Sequence, residues 1–249
     1  DQAEVVRAYY IARQVTGAVA RWSAIEALDG TMDPALQNQL MVGVDSMVED
    51  IARWYLLHPQ PGGLDEVIEP HAAAFAELAG VIDTAGPDDW RAHRTAVADA
   101  LTEQGVDPEL ARRYAWQPEL THSPDIAQVA EATGRSLQDV ATTFFLVGEQ
   151  LHIDALEQRV LALKSESRWE RWAALAMEDD LMAVRREVAE RVLLAAPDSP
   201  VEEAVELYLA TRSETYERLN RLLAGLDGDI DVGLAALTVA LRQVRGVAA

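Results

Sequence analysis

The chain has 249 residues, with 42 acidic side chains against 21 basic ones and a formal net charge of −21 at pH 7. Because it contains no cysteine, disulfides, thiolate metal sites and thiol catalysis are excluded. The negative field of the whole chain repels polyanions, so we expect no nucleic-acid partner. No apolar run reaches the ~18 residues of a membrane helix, so we expect no membrane partner either.

The start of the chain shows neither an initiator methionine nor an apolar signal segment. It reads Asp1-Gln2-Ala3-Glu4, so we expect a segment of a longer protein without a secretory signal. Lys164 is the only lysine among the 21 basic residues. This composition removes nearly all lysine-based chemistry from the chain.

Apolar residues recur every three or four positions along most of the chain, which predicts helices. The first predicted helix covers 4–28 and ends at Asp29-Gly30, because glycine accepts the left-handed turn that ends a helix. Its predicted apolar face contains Val6, Tyr9, Tyr10, Ile11 and Val15. A second helix starts at Asp33-Pro34, ends at His58-Pro59 and completes a helical hairpin. The predicted buried stripe of this second helix contains Leu36, Leu40, Val44, Met47, Val48, Ile51 and Trp54.

Nine further helices are predicted, over 64–82, 87–104, 108–116, 125–133, 136–151, 154–163, 167–195, 199–226 and 231–245. The first of them is interrupted or starts afresh around Pro70. The N-caps expected in this part of the chain are Asp107, Ser136, Asp154, Ser167, Ser199 and Asp231. Gln117-Pro118 and Ser123-Pro124 flank the stretch 117–124, which has the weakest predicted structure and is our candidate for a subdomain boundary.

Strand signals are nearly absent, because no stretch alternates apolar and polar residues between turn signals. Val140–Val147 could form a buried strand, but Ser136 and the residues after it cap this run as a helix. Periodic segments joined by short loops predict an all-α fold, an antiparallel bundle or array of about ten helices with no significant sheet. We expect residues 1–249 to form a single domain, or two helical subdomains split near 117–124.

Two Glu-x-x-His spacings are the sharpest metal signal in the sequence. They run from Glu119 to His122 and from Glu149 to His152, and on two facing helices such spacings are typical of di-iron carboxylate bundles. With 42 acidic residues and five histidines, such spacings are also expected by chance. We therefore favour solvated polar residues at helix ends and predict no metal-binding residue.

Three consecutive acidic residues, Glu178-Asp179-Asp180, lie within one predicted helix. Because three consecutive positions spread over most of a helical turn, they cannot all face one cation. We favour ion pairs with arginines on neighbouring helices, for example through Arg185 or Arg186, over a cation site.

Two tryptophans, Trp169 and Trp172, lie three residues apart on one predicted helical face, next to Arg168 and Arg171. Such a pair is typical either of a partner-binding surface, where Trp and Arg dominate, or of a bundle core with arginine stacking. We favour the core.

Motifs for nucleotide binding and for serine catalysis are missing from the sequence. It contains no Gly-x-Gly-x-x-Gly, no Gly-x-x-x-x-Gly-Lys and no Gly-x-Ser-x-Gly. No histidine lies in a recognisable catalytic constellation. We therefore predict no catalytic and no cofactor-binding residue in this segment.

Several sequence blocks carry a family resemblance, and they are spread over nearly the whole chain. They are Arg7–Arg13, Trp22–Asp29, Ala52–Leu57, Val140–Glu149, Arg168–Ala173, Asp179–Leu181 and Leu237–Arg242. In their order and spacing, these blocks make the chain similar to the C-terminal helical domain of the large bacterial NAD-specific glutamate dehydrogenases.

This resemblance implies a cytoplasmic parent enzyme that oxidises L-glutamate to 2-oxoglutarate and ammonium, with NAD as the hydride acceptor. In that family, the catalytic and dinucleotide-binding domains precede this region. The family's chemistry uses lysines in a glycine-rich pocket and a Rossmann loop, and neither has a counterpart here. Lys164 lies in Leu163-Lys164-Ser165 without the glycines, so no catalytic residue is carried over.

The expected role of the segment is to support the stability, assembly or regulation of the parent enzyme. Its expected partners are the catalytic domain of the same chain, further copies in a homo-oligomer, and a regulatory protein. Two alternatives stay open: a free-standing acidic helical interaction module and a carboxylate-metal helical bundle.

Overall fold

The computed structural model describes residues 2–17, 32–85, 88–163, 167–227 and 233–248. Thirteen helices and no strand lie in these residues, which confirms the predicted all-α array. None of these helices is both long and apolar enough to cross a membrane. In chain order they are α1 (Gln2–Val15), α2 (Pro34–Leu57), α3 (Leu64–Val81), α4 (Asp88–Glu103), α5 (Pro108–Ala115), α6 (Gln117–Leu120), α7 (Ser123–Thr133), α8 (Leu137–Gln150), α9 (Ile153–Leu161), α10 (Arg168–Ala195), α11 (Val201–Ala210), α12 (Ser213–Asp227) and α13 (Leu234–Ala248).

Contacts between Cα atoms divide the chain into two compact units, Asp1–Gln128 and Val129–Ala249. The division falls within α7. The stretch 117–124 is helical, so the prediction of weak structure there is wrong. Its prolines, Pro118 and Pro124, lie in the first turns of α6 and α7, where proline costs no helical hydrogen bond. Whether the two units form one domain or two subdomains stays a prediction.

Local capping starts several helices as the sequence predicts. The carboxylate of Asp33 accepts hydrogen bonds from the first free N–H groups of α2 at 2.9 and 3.3 Å, and Asp107 caps α5 in the same way. Ser136 and Ser167 cap α8 and α10 through their hydroxyl oxygens. These four caps satisfy N–H groups that have no partner within their own helices.

Two predicted caps are wrong. Asp154 lies in the first turn of α9, where its carboxylate pairs with Arg185 instead of the helix N-terminus. Ser199 stands one position too early, because Pro200 takes the N-cap position of α11. Four predicted features lie outside the described residues: the cap at Asp231, the helix end at Asp29-Gly30, the helix start at Pro87 and the block Trp22–Asp29.

Two predictions of where a helix breaks or continues also differ from the structure. The helix predicted over 199–226 is two helices, which separate where the Thr211 hydroxyl donates to the carbonyl of Tyr208 at 2.7 Å. Conversely, α3 runs through Pro70 without the predicted break. Val67 before this proline and Phe75 after it are both buried, so packing on either side outweighs the one lost hydrogen bond.

In the first unit, α1 packs against α2 and α3, and α4 packs against α5. All seven residues of the predicted α2 stripe are buried. The predicted face of α1 is wrong for Val6, Tyr9 and Tyr10, because these three are exposed while Ile11 and Val15 are buried. With 3.6 residues per turn, Tyr9 and Ile11 point about 160° apart, so they cannot share a face.

The second unit is built around α10, which contacts α8, α9, α11 and α13. The run Val140–Val147 is helical and mostly buried, which confirms the helix over the strand alternative. The buried apolar stripe of α10 contains Met177, Leu181, Val184, Val188 and Val192. One continuous apolar core joins this stripe to side chains from α8, α9, α11, α12 and α13.

One charged side chain of α10, Arg185, is fully buried within that unit. Its Nε donates to the carbonyl of Phe144 in α8 at 2.8 Å, and its Nη1 donates to Oδ1 of Asp154 in α9, also at 2.8 Å. The guanidinium carbon lies 4.4 Å from the centre of the Phe144 ring. Arg185 therefore links three helices through a carboxylate, a main-chain carbonyl and an aromatic face.

Gly148 leaves the space that this arginine occupies. A Cβ atom at position 148 would lie within 3.0 Å of three guanidinium atoms of Arg185. Because glycine has no side chain, the guanidinium can approach the backbone of α8 and reach the carbonyl of Phe144. The absence of a side chain at residue 148 thus permits the contact between α8 and Arg185 of α10.

We predict that Gly148→Ala destabilises the chain by about 1–3 kcal/mol, because the added methyl group displaces the Arg185 guanidinium from its partners. Urea unfolding measures this loss. The matched control is Gly225→Ala in α12, where a Cβ would meet nothing within 4 Å. This control removes a helical glycine without a clash, so it should gain up to about 1 kcal/mol. Equal effects of the two substitutions would contradict the packing role of Gly148.

Candidate functional site

In the first Glu-x-x-His spacing, the glutamate side chain pairs with an arginine. Glu119 of α6 is buried, and its Oε1 lies 3.4 Å from Nη1 of Arg94, a buried side chain of α4. Nη2 of Arg94 also donates to the carbonyl of Ala85 at 3.0 Å. His122 lies in the turn after α6. The Glu119 carboxylate therefore serves to neutralise a buried guanidinium.

The second Glu-x-x-His spacing is not on one helix face. Glu149 belongs to α8, whereas His152 lies in the following turn with a φ of 56° and occupies the N-cap position of α9. Nε2 of His152 is 3.1 Å from Oδ1 of Asn220 in α12. The chain changes direction between the two residues, so the spacing does not produce a shared ligand face. Throughout the described ranges, no three His, Asp or Glu residues converge as metal ligands would.

The acidic triplet 178–180 of α10 forms an ion pair with a neighbouring helix. The carboxylate of Asp180 pairs with Arg245 of α13, which confirms the predicted ion pairing. Of the two suggested partners, Arg185 forms an ion pair with Asp154 of α9. Both groups of the observed pair are about half exposed, so the pair contributes little to stability.

A cluster of aromatic and histidine side chains lies in the first unit, around Trp54 at the end of α2. The indole N–H of Trp54 donates to Oδ1 of buried Asp125 in α7 at 2.8 Å. The imidazole of His58 stacks on the indole, with 4.5 Å between ring centres and 23° between planes. His58 also contacts the carbonyl of Trp54 through Nδ1 at 3.0 Å.

The neighbouring Tyr55 adds a second histidine to this cluster. Its hydroxyl lies 2.6 Å from Nδ1 of His71 in α3. Burial raises the pKa of Tyr55 well above its usual value near 10, so the phenol keeps its proton while it is hydrogen-bonded to the imidazole. The cluster joins α2, α3 and α7 with matched donors and acceptors. We therefore assign it to packing between helices and not to catalysis.

The sequence pattern predicts Trp54 in the core but does not indicate its polar partners. No pattern marks His58 or His71 as a partner, and Asp125 only begins a predicted helix. The one available signal is the spacing of Trp54, Tyr55 and His58 within a single turn at a helix end. The hydrogen bond to Asp125 joins residues 71 positions apart, which no local pattern indicates.

The tryptophan pair of α10 is exposed and not in the core, so the favoured interpretation of this pair is wrong. Trp169 and Trp172 expose 72% and 47% of their surface, and their rings meet edge to face at 5.1 Å. The predicted arginine stacking is confirmed, with the Arg168 guanidinium 4.1 Å from the centre of the Trp172 ring. The buried stripe of α10 begins further along, at Ala174 and Met177. The pair is therefore an aromatic surface patch that suits a partner.

Comparisons with known proteins identify the family of this chain. The family described as "Glutamate dehydrogenase, C-terminal" matches residues 1–246. The chain belongs to this family. It is 26% identical over 245 residues to the "NAD-specific glutamate dehydrogenase" of Halomonas elongata, which covers 98% of this chain and 15% of that protein. It is also 26% identical over 244 residues to the protein of the same name from Mycobacterium tuberculosis, covering 97% of this chain and 15% of that protein.

Membership in the glutamate dehydrogenase C-terminal family confirms the resemblance seen in the sequence blocks. The chain spans about 15% of the length of the two relatives. Several blocks that carry the resemblance coincide with features of the structure. The block Val140–Glu149 contains the Phe144 carbonyl and Gly148, and the block Arg168–Ala173 contains the exposed tryptophan pair.

We predict that Tyr55→Phe lowers the stability of the chain at pH 7 by about 1 kcal/mol, because the hydrogen bond to His71 is lost. The same substitution should also make the free energy of unfolding fall less steeply as the pH rises in the alkaline range. Between the unfolded tyrosine pKa of about 10 and its raised folded value, the folded state holds more protons, so stability falls as pH rises. Urea unfolding at a series of pH values from about 7 to about 11 measures both effects.

The exposed variant Tyr10→Phe controls for loss of a phenol as such, and its stability at pH 7 should stay within about 0.5 kcal/mol of the parent. An alkaline slope that Tyr55→Phe leaves unchanged would show that this phenol is not held protonated by the fold.

Proposed function

We propose that the chain is the non-catalytic C-terminal part of an NAD-dependent glutamate dehydrogenase. In the parent enzyme, L-glutamate, NAD and water give 2-oxoglutarate, ammonium, NADH and a proton. The family match over residues 1–246 is the observation that carries this proposal. The names of both relatives, which specify NAD and glutamate, support it.

The buried charged side chains bind other groups of the same chain, which supports a non-catalytic role. Arg94 and Arg185, which are buried, are each bound to a carboxylate and a main-chain carbonyl of other segments. Such groups are held by packing and are closed to a substrate. Binding of NAD and glutamate is therefore assigned to the polypeptide that makes up most of the length of the relatives.

The role we assign to the segment is to stabilise the catalytic remainder of the same polypeptide and to support its assembly into a homo-oligomer. The exposed patch of Arg168, Trp169 and Trp172 supports this role, because Trp and Arg dominate the binding energy of protein interfaces. We further propose a cytoplasmic location, in keeping with a cysteine-free chain, and a regulatory protein as a further partner.

We predict that removal of residues 1–249 from the full-length dehydrogenase lowers its thermal midpoint by about 5 °C or more and reduces the size of its oligomer. The reason is that surfaces now covered by the helical segment become exposed. Differential scanning fluorimetry measures the stability, light scattering after gel filtration measures the assembly, and glutamate-dependent NADH formation measures the turnover. Retention of stability, assembly and turnover in the truncated enzyme would refute the proposed role.

A milder variant isolates the tryptophan patch. Replacing both Trp169 and Trp172 with alanine should weaken assembly in the same direction without unfolding the segment, because both indoles are exposed. Leu207→Ala in α11 is the matched control, since this side chain is 56% exposed and lies outside the patch. The control should leave the oligomer unchanged.

A further inference from the structure

The outward side of α1 exposes four large apolar side chains among polar ones such as Gln2 and Arg13, whereas the side that packs against α2 and α3 is apolar. Val5, Val6, Tyr9 and Tyr10 expose 52%, 68%, 38% and 49% of their surface. The inward positions, including Ile11, are buried. A helix with large apolar side chains on both sides is typical of one that is enclosed on both sides. The described part of the chain supplies a cover for only one of them.

A shallow groove, widely open to solvent, runs along this side of α1, next to the start of α3. It has a volume of about 510 Å³ and is lined almost entirely by apolar surface. The lining residues are Gln2, Ala3, Val6, Arg7, Tyr10 and Leu64. Nη2 of Arg7 donates to the carbonyl of Gly62 at 2.8 Å, which ties α1 to the loop that leads into α3. The groove is thus held in shape by contacts within the unit.

The shape and charge of the groove indicate what it can hold. A concave apolar surface beside an exposed helix is typical of a site that receives the apolar face of another helix. The lining contains one basic residue, Arg7, which is hydrogen-bonded to the carbonyl of Gly62, and the residues that directly follow the lining positions Ala3 and Leu64 are the acidic Glu4 and Asp65. Basic side chains at the flanks of the bound segment would complement them.

We propose that this groove holds an amphipathic helix, with an apolar face and basic flanks, from the part of the same dehydrogenase polypeptide that lies outside residues 1–249. The inference rests on the proposed function and names the surface through which it acts. Because the chain spans only 15% of the length of its relatives, a long polypeptide is available to supply this helix. The groove differs from the tryptophan patch, which is an exposed surface in the other unit.

The test is photo-crosslinking in the full-length dehydrogenase, with a benzophenone amino acid in place of Tyr10 and, in a second variant, of Val6. Crosslinked peptides are identified by mass spectrometry in enzyme co-assembled from light and 15N-labelled chains. We expect both variants to crosslink to one peptide outside residues 1–249, in chains of a single isotope. A benzophenone at Val42, which is 58% exposed on α2 and outside the groove, should not reach that peptide.

Three outcomes would overturn the proposal, provided that glutamate-dependent NADH formation shows the variant to be folded. They are crosslinks only within residues 1–249, crosslinks that mix the two isotopes, and no crosslinks at all. Removal of residues 1–249 distinguishes a failure of this proposal from a failure of the proposed function. If truncation destabilises the enzyme while Tyr10 crosslinks elsewhere, the segment supports the enzyme but does so through another surface.

Discussion

The guanidinium of Arg185 has to be satisfied without water, and the helices around it are arranged accordingly. An ionised group buried in an apolar core is tolerated only when it is paired and hydrogen-bonded. Asp154 supplies the countercharge, the Phe144 carbonyl supplies a second acceptor, and Gly148 supplies the space. These requirements fix α8, α9 and α10 relative to one another more specifically than the apolar core alone would.

The first unit uses the same device with different residues. Arg94 is buried and meets the carboxylate of Glu119 and the carbonyl of Ala85. Both arginines therefore join elements that are distant in sequence. In both units the buried charge contributes to the specificity of packing, while the residues open to contact lie on the surface. This division is consistent with a segment that acts by contact and not by chemistry.

The contact surfaces are of two kinds. The tryptophan patch on α10 is an exposed aromatic surface of the second unit, whereas the α1 groove is a shallow apolar surface of the first. We propose both as contact surfaces, because exposed Trp and Arg dominate protein interfaces and apolar grooves receive amphipathic helices.

The local parts of this architecture could be predicted from the sequence. The α2 stripe and the caps at Asp33, Asp107, Ser136 and Ser167 follow from periodicity and from side-chain chemistry within four residues. The buried arginines could not be predicted in this way, because arginine is usually exposed and its partners here are 9 to 41 residues away.

The second feature that the sequence could not predict is whether a helix face is exposed or covered. Periodicity shows that Trp169 and Trp172 share a face, but it does not show whether that face is covered, and here it is not. The same limit explains the error at Val6, Tyr9 and Tyr10, where apolar residues on two sides of α1 were read as one face. In both cases the decisive information is which helix lies opposite, and that is a property of the assembled fold.

The most direct test of the central claim is a double-mutant cycle on Arg185 and Asp154, with free energies of unfolding measured in urea. Arg185→Met and Asp154→Ala should each destabilise the chain by about 2–4 kcal/mol, because the first removes the donor from the Phe144 carbonyl and from the partly buried Asp154, and the second leaves the fully buried guanidinium without its countercharge. The double variant should lose at least about 1.5 kcal/mol less than the sum of the two single losses. Single losses that add to within about 0.5 kcal/mol would show that the two side chains act independently, and would contradict the account.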